Sequence, residues 1–311
     1  MDNDISKQFY RFLWAYILVA LSGCLGNVVD GIIVGNLISE DGVSAINLSK
    51  PINQFIFTLH LLINAGAGML VAYALGQNKI DDARRFFTRA LTLSMGLGFM
   101  LAVVGGLMFP HQAARLLCNN EQILPLADDY MQVLLLGNPA FILMWGLSTM
   151  VGVDGSPRLV SLAVIIDNVV NLCLDIVFIK WFGWGITGSS AATVVGHLVG
   201  IAILLSHWRN PENRRLVPVF TTDGLASSWK RIVSQGAPLA VASICLTLLL
   251  LSANKIVLST TGRTGIFVFA LCMNLLQVYN LFLSGTCQTL QSLGAIQVGK
   301  KDDEGVRTVI K

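Results

Sequence analysis

The sequence predicts an all-α polytopic membrane protein: two six-helix lobes related by a parallel repeat, the second lobe truncated after two helices. Three observations predict it. Of 311 residues, 54% are hydrophobic and only 13% charged, against roughly 25% charged in soluble domains; the mean hydropathy is +0.68. The apolar segments are long, and the basic residues between them sort to one side. The end of the second span also recurs near the C-terminus.

Eight spans follow in order, at about 12–36, 47–75, 90–110, 128–153, 159–180, 187–207, 235–259 and 265–297. Each reaches the roughly 20 residues a bilayer crossing needs, and the longer ones allow tilt. Lys7 and Arg11 precede a first run too long for a signal-peptide core, and no small-residue cleavage site follows. With the N-terminus in the cytoplasm, the inner segments hold sixteen Lys or Arg and the outer ones only Lys50, Arg115, Lys180 and Arg263. That bias is the positive-inside pattern. A miscounted span would scramble it. The expected location is therefore the plasma (inner) membrane, multi-pass, with a cytoplasmic N-terminus.

Residues 1–208 read as an N-terminal six-helix lobe. Residues 209–234 read as a cytoplasmic linker with a short surface helix at 224–233. Residues 235–311 read as the start of a C-terminal lobe, two helices and the beginning of a third. The repeat sets this division. Ala72, Gly76 and Arg84 at the end of span 2 recur as Ala295, Gly299 and Arg307 at the end of span 8. An offset of six helices keeps the two copies in the same orientation, as in parallel-repeat transporters. Residues 306–311 would open the next helix, so the expectation is a twelve-helix protein of which this sequence covers the first eight.

The organising stretch is span 5, with Asp167, Asn168, Asn171 and Asp175 inside one apolar run. Ionisable groups within a membrane span usually face a cavity or a partner. Asp30 in span 1 lies 19 residues after Arg11, and Asp175 lies 17 after Arg158. Both helices run outward, so the two carboxylates reach similar heights. Asn168, Asn171 and Asp175 at i, i+3 and i+7 share one helix face, and Asn27 lies one turn from Asp30. A buried carboxylate has its charged form disfavoured. Asp30 and Asp175, with Asn171, Asn168 and Asn27 as partners, are the candidate cation-coupling site, for H+ or for Na+. An interfacial Asp175 that meets only solvent is the plainer reading. Asp167 falls on another face and either lines a cavity or pairs with a neighbouring helix.

Span 8 carries Asn274, Gln277, Asn280, Gln288 and Gln291. They line a cavity or bond between helices; the sequence leaves both open. His60 and His197 read as packed, hydrogen-bonded side chains. Lys255 reads as snorkelling to the outer surface. Phe55, Phe57, Met144, Trp145 and Met150 read first as packing or lipid contacts.

Five segments in order resemble the MATE (multidrug and toxic compound extrusion) family. They are Asn27-Val-Val-Asp30-Gly-Ile-Ile-Val34-Gly35, the set Ala45, Leu48, Ser49 and Pro51, Gly155-Ser-Pro157-Arg158, Asn171-Leu-Cys-Leu-Asp175 with Phe178-Ile179, and Gly183-Trp-Gly185-Ile-Thr-Gly188 through Thr193. The resemblance implies a two-lobed twelve-helix fold and cation-coupled export by alternating access. It places cation coupling on Asp30, Asn171 and Asp175. The acidic residue that some members carry on helix 7 is missing here.

The function expected is secondary active efflux of amphipathic or cationic organic compounds by antiport, with H+ as the coupling ion. Na+-coupled antiport and a lipid-linked precursor flippase are the alternatives; a flippase would be expected to carry a cationic cavity. A membrane enzyme using Asp167 and Asp175 as an acid–base pair is the rival of another class. The sequence lacks a phosphate-binding Gly-Lys-Ser/Thr loop and a His-Glu-x-x-His motif. No catalytic residues, resident metal, cofactor or nucleic acid are expected. Five of the six cysteines lie in apolar spans, so no disulfide is expected either. The partners expected are the bilayer and small molecules, with the chain a monomer.

Overall fold

The computed structural model describes residues 2–117, 123–209, 215–220 and 224–310; within the last segment, most side chains between 250 and 278 lie outside the description. Among the described residues every regular element is helical. Among the described residues six helices are long and apolar enough to cross a membrane, or seven if a bent pair counts as one span. The first part of the expected eighth span, up to residue 278, falls mostly on side chains outside the description, while 279–297 are described and helical.

Helix α1 (Asp2–Leu37) opens the bundle. The Ser39 side chain accepts a hydrogen bond from the Gly42 backbone N–H at 3.1 Å, which caps α2 (Glu40–His60). A widened π-turn, Leu61–Ala65, joins α2 to α3 (Gly66–Gly76). Such turns free a carbonyl and re-aim a side chain; here Asn64 turns inward, donating to His60 Nδ1 at 3.2 Å and accepting from Ser94 Oγ at 2.9 Å. Asn78 in the left-handed region (φ 59°) turns the chain into α4 (Ile80–Leu101), which continues through a second π-turn at Ala102–Met108.

After the short α5 (Pro110–Leu117) come α6 (Leu124–Leu136) and α7 (Asn138–Val153). They form one span bent by 52° at Gly137, with Pro139 in the first turn of α7. Proline lacks the N–H an unbroken helix would need there. Gly155 (φ 98°) makes the sharp turn into α8 (Pro157–Ile176). At the far end Gly183 and Gly185, both with positive φ, lead into α9 (Gly185–Leu205). Exposed Trp181, Phe182 and Trp184 cluster at that turn, as aromatics do at a membrane–water boundary.

The linker is not an independent strap. Arg84 Nε donates to the Arg215 carbonyl at 2.8 Å, the Val219 N–H donates to Thr88 Oγ1 at 2.7 Å, and Trp208 Nε1 donates to the Leu216 carbonyl at 2.6 Å. It is thereby docked on α4. The surface helix expected at 224–233 is instead the first part of α10 (Leu225–Thr289), which enters the bundle without a break. Arg89 bonds Ser228, and Arg231 lies 5.0 Å over the Phe86 ring; these contacts hold the start of α10 against α4, so no separate helix forms.

Spans 7 and 8 were expected to be divided near 260. Residues 225–289 form one continuous helical element, but it doubles back. Gly236 packs on Leu62, while Gln291 Nε2 donates to the Ala65 carbonyl at 3.0 Å. Both contacts fall on one π-turn, whereas a straight helix would separate residues 236 and 291 by roughly 80 Å. A π-turn (Leu290–Gly294), α11 (Ala295–Lys300) and α12 (Asp303–Ile310) follow.

Candidate functional site

Helix α8 is the axis of the site. It packs between α1 and α9, with its polar side chains directed to both. Two small residues make this close packing possible. A Cβ on Gly26 of α1 would lie 2.6 Å from Asn168 Oδ1, and one on Gly196 of α9 would lie 2.6 Å from Asp167 Oδ1.

Asp175 is fully buried and Asp30 half-buried. The two carboxyl groups face each other at interaction distance, yet neither Asp175 oxygen has a hydrogen bond of good geometry. Ser189 Oγ of α9 donates to Asp30 Oδ1 at 3.3 Å. Asn171 Nδ2 donates to Thr193 Oγ1 at 2.9 Å, and Thr193 Oγ1 in turn donates to the Ser189 carbonyl at 3.1 Å. Asn168 Nδ2 donates to Ser22 Oγ at 3.1 Å and to the Val164 carbonyl at 2.8 Å. Two sets of polar contacts, one around Asp30 and one at Asn168 and Ser22, therefore tie α1, α8 and α9 together.

These contacts border a cavity of about 270 Å³ whose walls include Asp30, Asp167, Asn168, Asn171, Thr193 and His197, closed by the aromatic side chains of Tyr130, Phe141 and Trp145. Among the described residues no Lys or Arg lines it. Asp175 lies behind Asp30 rather than on the wall. Asp167 is 6% exposed, and both its oxygens receive His197 Nδ1, at 2.9 and 3.1 Å. Asp167 thus lines the cavity and pairs with His197 of the neighbouring helix.

A second cavity, of about 210 Å³, lies where α1, α2 and α7 meet the returning end of α10. His60, Phe57, Gln288 and Gln291 line it, and Trp145 lines both cavities. Phe57, His60 and Trp145 form a ring cluster with centroids 5.8 to 6.2 Å apart. Phe57 and Trp145 are therefore wall residues, while Met144 and Met150 are buried in the core and Phe55 is exposed. Asn280 is exposed on α10 and borders neither cavity. The side chains of Asn27, Asn254, Lys255, Asn274 and Gln277 lie outside the described residues.

Sequence reasoning gave no role to Ser22, Tyr130, Ser189 or Thr193, and did not pair His197 with Asp167. A signal existed for three of these. Ser189, Thr193 and His197 at i, i+4 and i+8 form one polar stripe on an otherwise apolar helix.

The arrangement defines a multi-pass membrane protein with carboxylates buried among its apolar helices. The chain belongs to the MatE family: the family's model matches residues 15–177 of 311, just over half of its length. It is similar to the multidrug export protein MepA of Staphylococcus aureus, at 23% identity over 287 residues, which is 90% of this chain and 62% of MepA. It is also similar to the probable multidrug resistance protein YoeA of Bacillus subtilis, at 24% identity over 214 residues, 68% of this chain and 46% of YoeA. The chain thus spans about half to three-fifths of the length of these relatives. Among solved structures, the fold superposes on a MATE transporter in complex with MaD3S with a TM-score of 0.89, at 20% identity over 98% of this chain and 68% of that one. It also superposes on a MOP superfamily transporter from Pyrococcus furiosus with a TM-score of 0.86, at 21% identity over 98% and 67%.

Proposed function

We propose that this protein is the first-lobe-bearing part of a secondary active exporter that exchanges protons for amphipathic or cationic organic molecules by alternating access. The observation that carries the reading is Asp175. A fully buried carboxylate facing a second carboxylate, with no well-formed hydrogen bond to either oxygen, is best neutralised by a cation between the two groups. A proton does this in the smallest space. It can arrive through the cavity at Asp30, and Ser189 can bond Asp30 in either protonation state. Loss of the proton leaves two like charges in contact, which favours separation of α1 from α8. That change in packing is the step that would link proton release to substrate movement.

The relatives' printed functions support the substrate class: MepA is a multidrug export protein and YoeA a probable multidrug resistance protein. The cavity agrees with a cationic or aromatic guest, having two carboxylates and three large aromatic side chains among its described lining. The same lining argues against a lipid-linked precursor as cargo, because it offers no Lys or Arg for a pyrophosphate.

Na+ is the second reading. Asp30, Asn171 and Thr193 border one cavity, and carboxylate, amide and hydroxyl oxygens are ligands of the type Na+ takes. The test uses everted membrane vesicles and ethidium. Uptake driven by an imposed pH gradient, without Na+, supports the proton reading. Uptake that follows only a Na+ gradient replaces the coupling ion, and no uptake with either gradient removes the exporter reading.

A further inference from the structure

We infer that Asp167 and His197 form a second proton-exchange unit in the first-lobe cavity, separate from Asp30 and Asp175, and that an arriving organic cation displaces the proton from His197. The inference rests on the exporter reading and adds a second proton to its exchange.

The geometry separates the two units. Asp167 and Asp175 are eight residues apart on α8, about 12 Å along the axis, and they meet different partners. Asp175 lies against Asp30 of α1 and Ser189 of α9, whereas Asp167 meets His197 further along α9, whose Nδ1 contacts both of its oxygens. Side-chain exposures of 9% for Asp167 and 13% for His197 leave the pair largely desolvated yet open to the cavity. Gly196 and Gly200 on α9 make the space, since a Cβ at either would press on Asp167 at 2.6 and 3.3 Å. The Phe141 ring, 5.5 Å from the imidazole, covers another side.

Charge accounting then assigns the role. The titratable groups that reach this cavity are Asp30 from α1, Asp167 from α8, Tyr130 from α6 and His197 from α9, with Asp175 behind Asp30; α7 contributes only Phe141 and Trp145, and α2 only Asn53. Among the described lining, His197 is therefore the one group able to neutralise Asp167 with a positive charge. An organic cation entering beside Asp167 supplies the same charge. Two cations cannot share the desolvated wall, so the incoming one expels the other. Written out, the ion pair of Asp167 carboxylate with His197 imidazolium plus the cation gives the carboxylate–cation pair, neutral imidazole and one proton released to water. The imidazolium N–H bond breaks and no electrons are transferred. Asp167 keeps the Nδ1 edge of the ring oriented, as carboxylates do for histidine elsewhere.

The test counts protons. Purified protein in weak buffer near pH 6.5, the ordinary histidine range, is titrated with tetraphenylphosphonium, and proton release is measured per cation bound. Wild type is expected to release more protons than His197→Gln, the excess rising toward about one per cation as the pH is lowered below 6.5, with Asp30→Asn retaining that His197-dependent excess. Imidazole 15N resonances provide a second readout that a purely structural role would not move: the His197 signal is expected to pass from imidazolium to neutral on binding. Equal release by wild type and His197→Gln, or an unmoved His197 resonance with the cation bound, overturns the inference while leaving gradient-driven uptake intact. A wild type that neither binds the cation nor shows gradient-driven uptake removes the exporter reading and this inference together.

Discussion

Gly76 and Gly299 pack face to face, each filling the space a side chain on the other would need. A Cβ on Gly76 would overlap the Ile296 carbonyl oxygen and come within 3.0 Å of the Gly299 Cα; one on Gly299 would overlap the Tyr73 carbonyl oxygen and come within 3.0 Å of the Gly76 Cα. Gly76 and Gly299 are 223 residues apart, and so are Tyr73 and Ile296. The same offset relates Asn78 and Lys301, the two non-glycine residues with positive φ among the described residues. Equivalent residues meet in this reciprocal way when two repeats pack about a two-fold axis.

The crossing is backbone on backbone, so it cannot relax by rotating a side chain. Gly76→Val and Gly299→Val are each expected to cost about 1–3 kcal/mol or more, the range of core overpacking. Gly96, which has open space where its Cβ would go, is the control; Gly96→Ala in mid-helix is expected to be neutral or slightly stabilising. Thermal unfolding in detergent, followed by a thiol-reactive dye, checks the contrast. Equal melting of Gly76→Val and wild type would show that the crossing is looser than described.

Gly26 makes room for Asn168 in the same fashion. Gly26→Ala is expected to displace the Asn168 amide, break its bond to Ser22 and lower transport about tenfold, the scale of one lost buried hydrogen bond. Shortening the opposing side chain should relieve the clash, so Gly26→Ala with Asn168→Ala is expected to be more stable than Gly26→Ala alone. A double-mutant cycle on melting temperature measures this coupling. Gly31, with nothing within 4 Å of its Cβ position, should tolerate alanine without effect on either readout. Additive effects of the Gly26 and Asn168 changes would argue against the contact.

Where α9 ends, His207 Nε2 and Asp154 Oδ2 lie 2.9 Å apart with side-chain exposures of 0% and 1%. The pair ties the end of α9 to the α7–α8 turn. Removing one member leaves the other's buried polar group without its partner, at a cost of roughly 1–3 kcal/mol or more. His207→Ala is expected to lose most of its folded yield on size exclusion, with Asp154→Ala/His207→Ala recovering part of it. Recovery absent from the double variant would mean the pair does not act as a unit.

The membrane-facing pattern and the site's carboxylates were legible because both are chemical anomalies or regularities along one strand of sequence. Asp30 and Asp175 stand out in apolar runs at matching distances from basic flanks, and they meet in the structure. The Ala72, Gly76 and Arg84 repeat was visible as spacing, but not that its two copies touch. Three-dimensional pairing was harder to read. Nothing in the sequence joins Asp154 to His207, or Asp167 to His197, across 53 and 30 residues. The surface helix expected at 224–233 failed for a packing reason: Arg89 and Phe86 hold that segment in line with the span that follows.

The central claim is that Asp30 and Asp175 hold the coupling proton between them. The direct measurement is substrate-driven proton movement in proteoliposomes carrying a trapped pH dye, comparing wild type with Asp30→Asn, Asp175→Asn and the double variant. If the two residues act as one unit, each single substitution should abolish ethidium-driven proton flux attributable to this pair as fully as the double does, with ethidium binding retained. Asp175→Asn moving protons at the wild-type rate would contradict the claim and leave the buried carboxylate a structural feature.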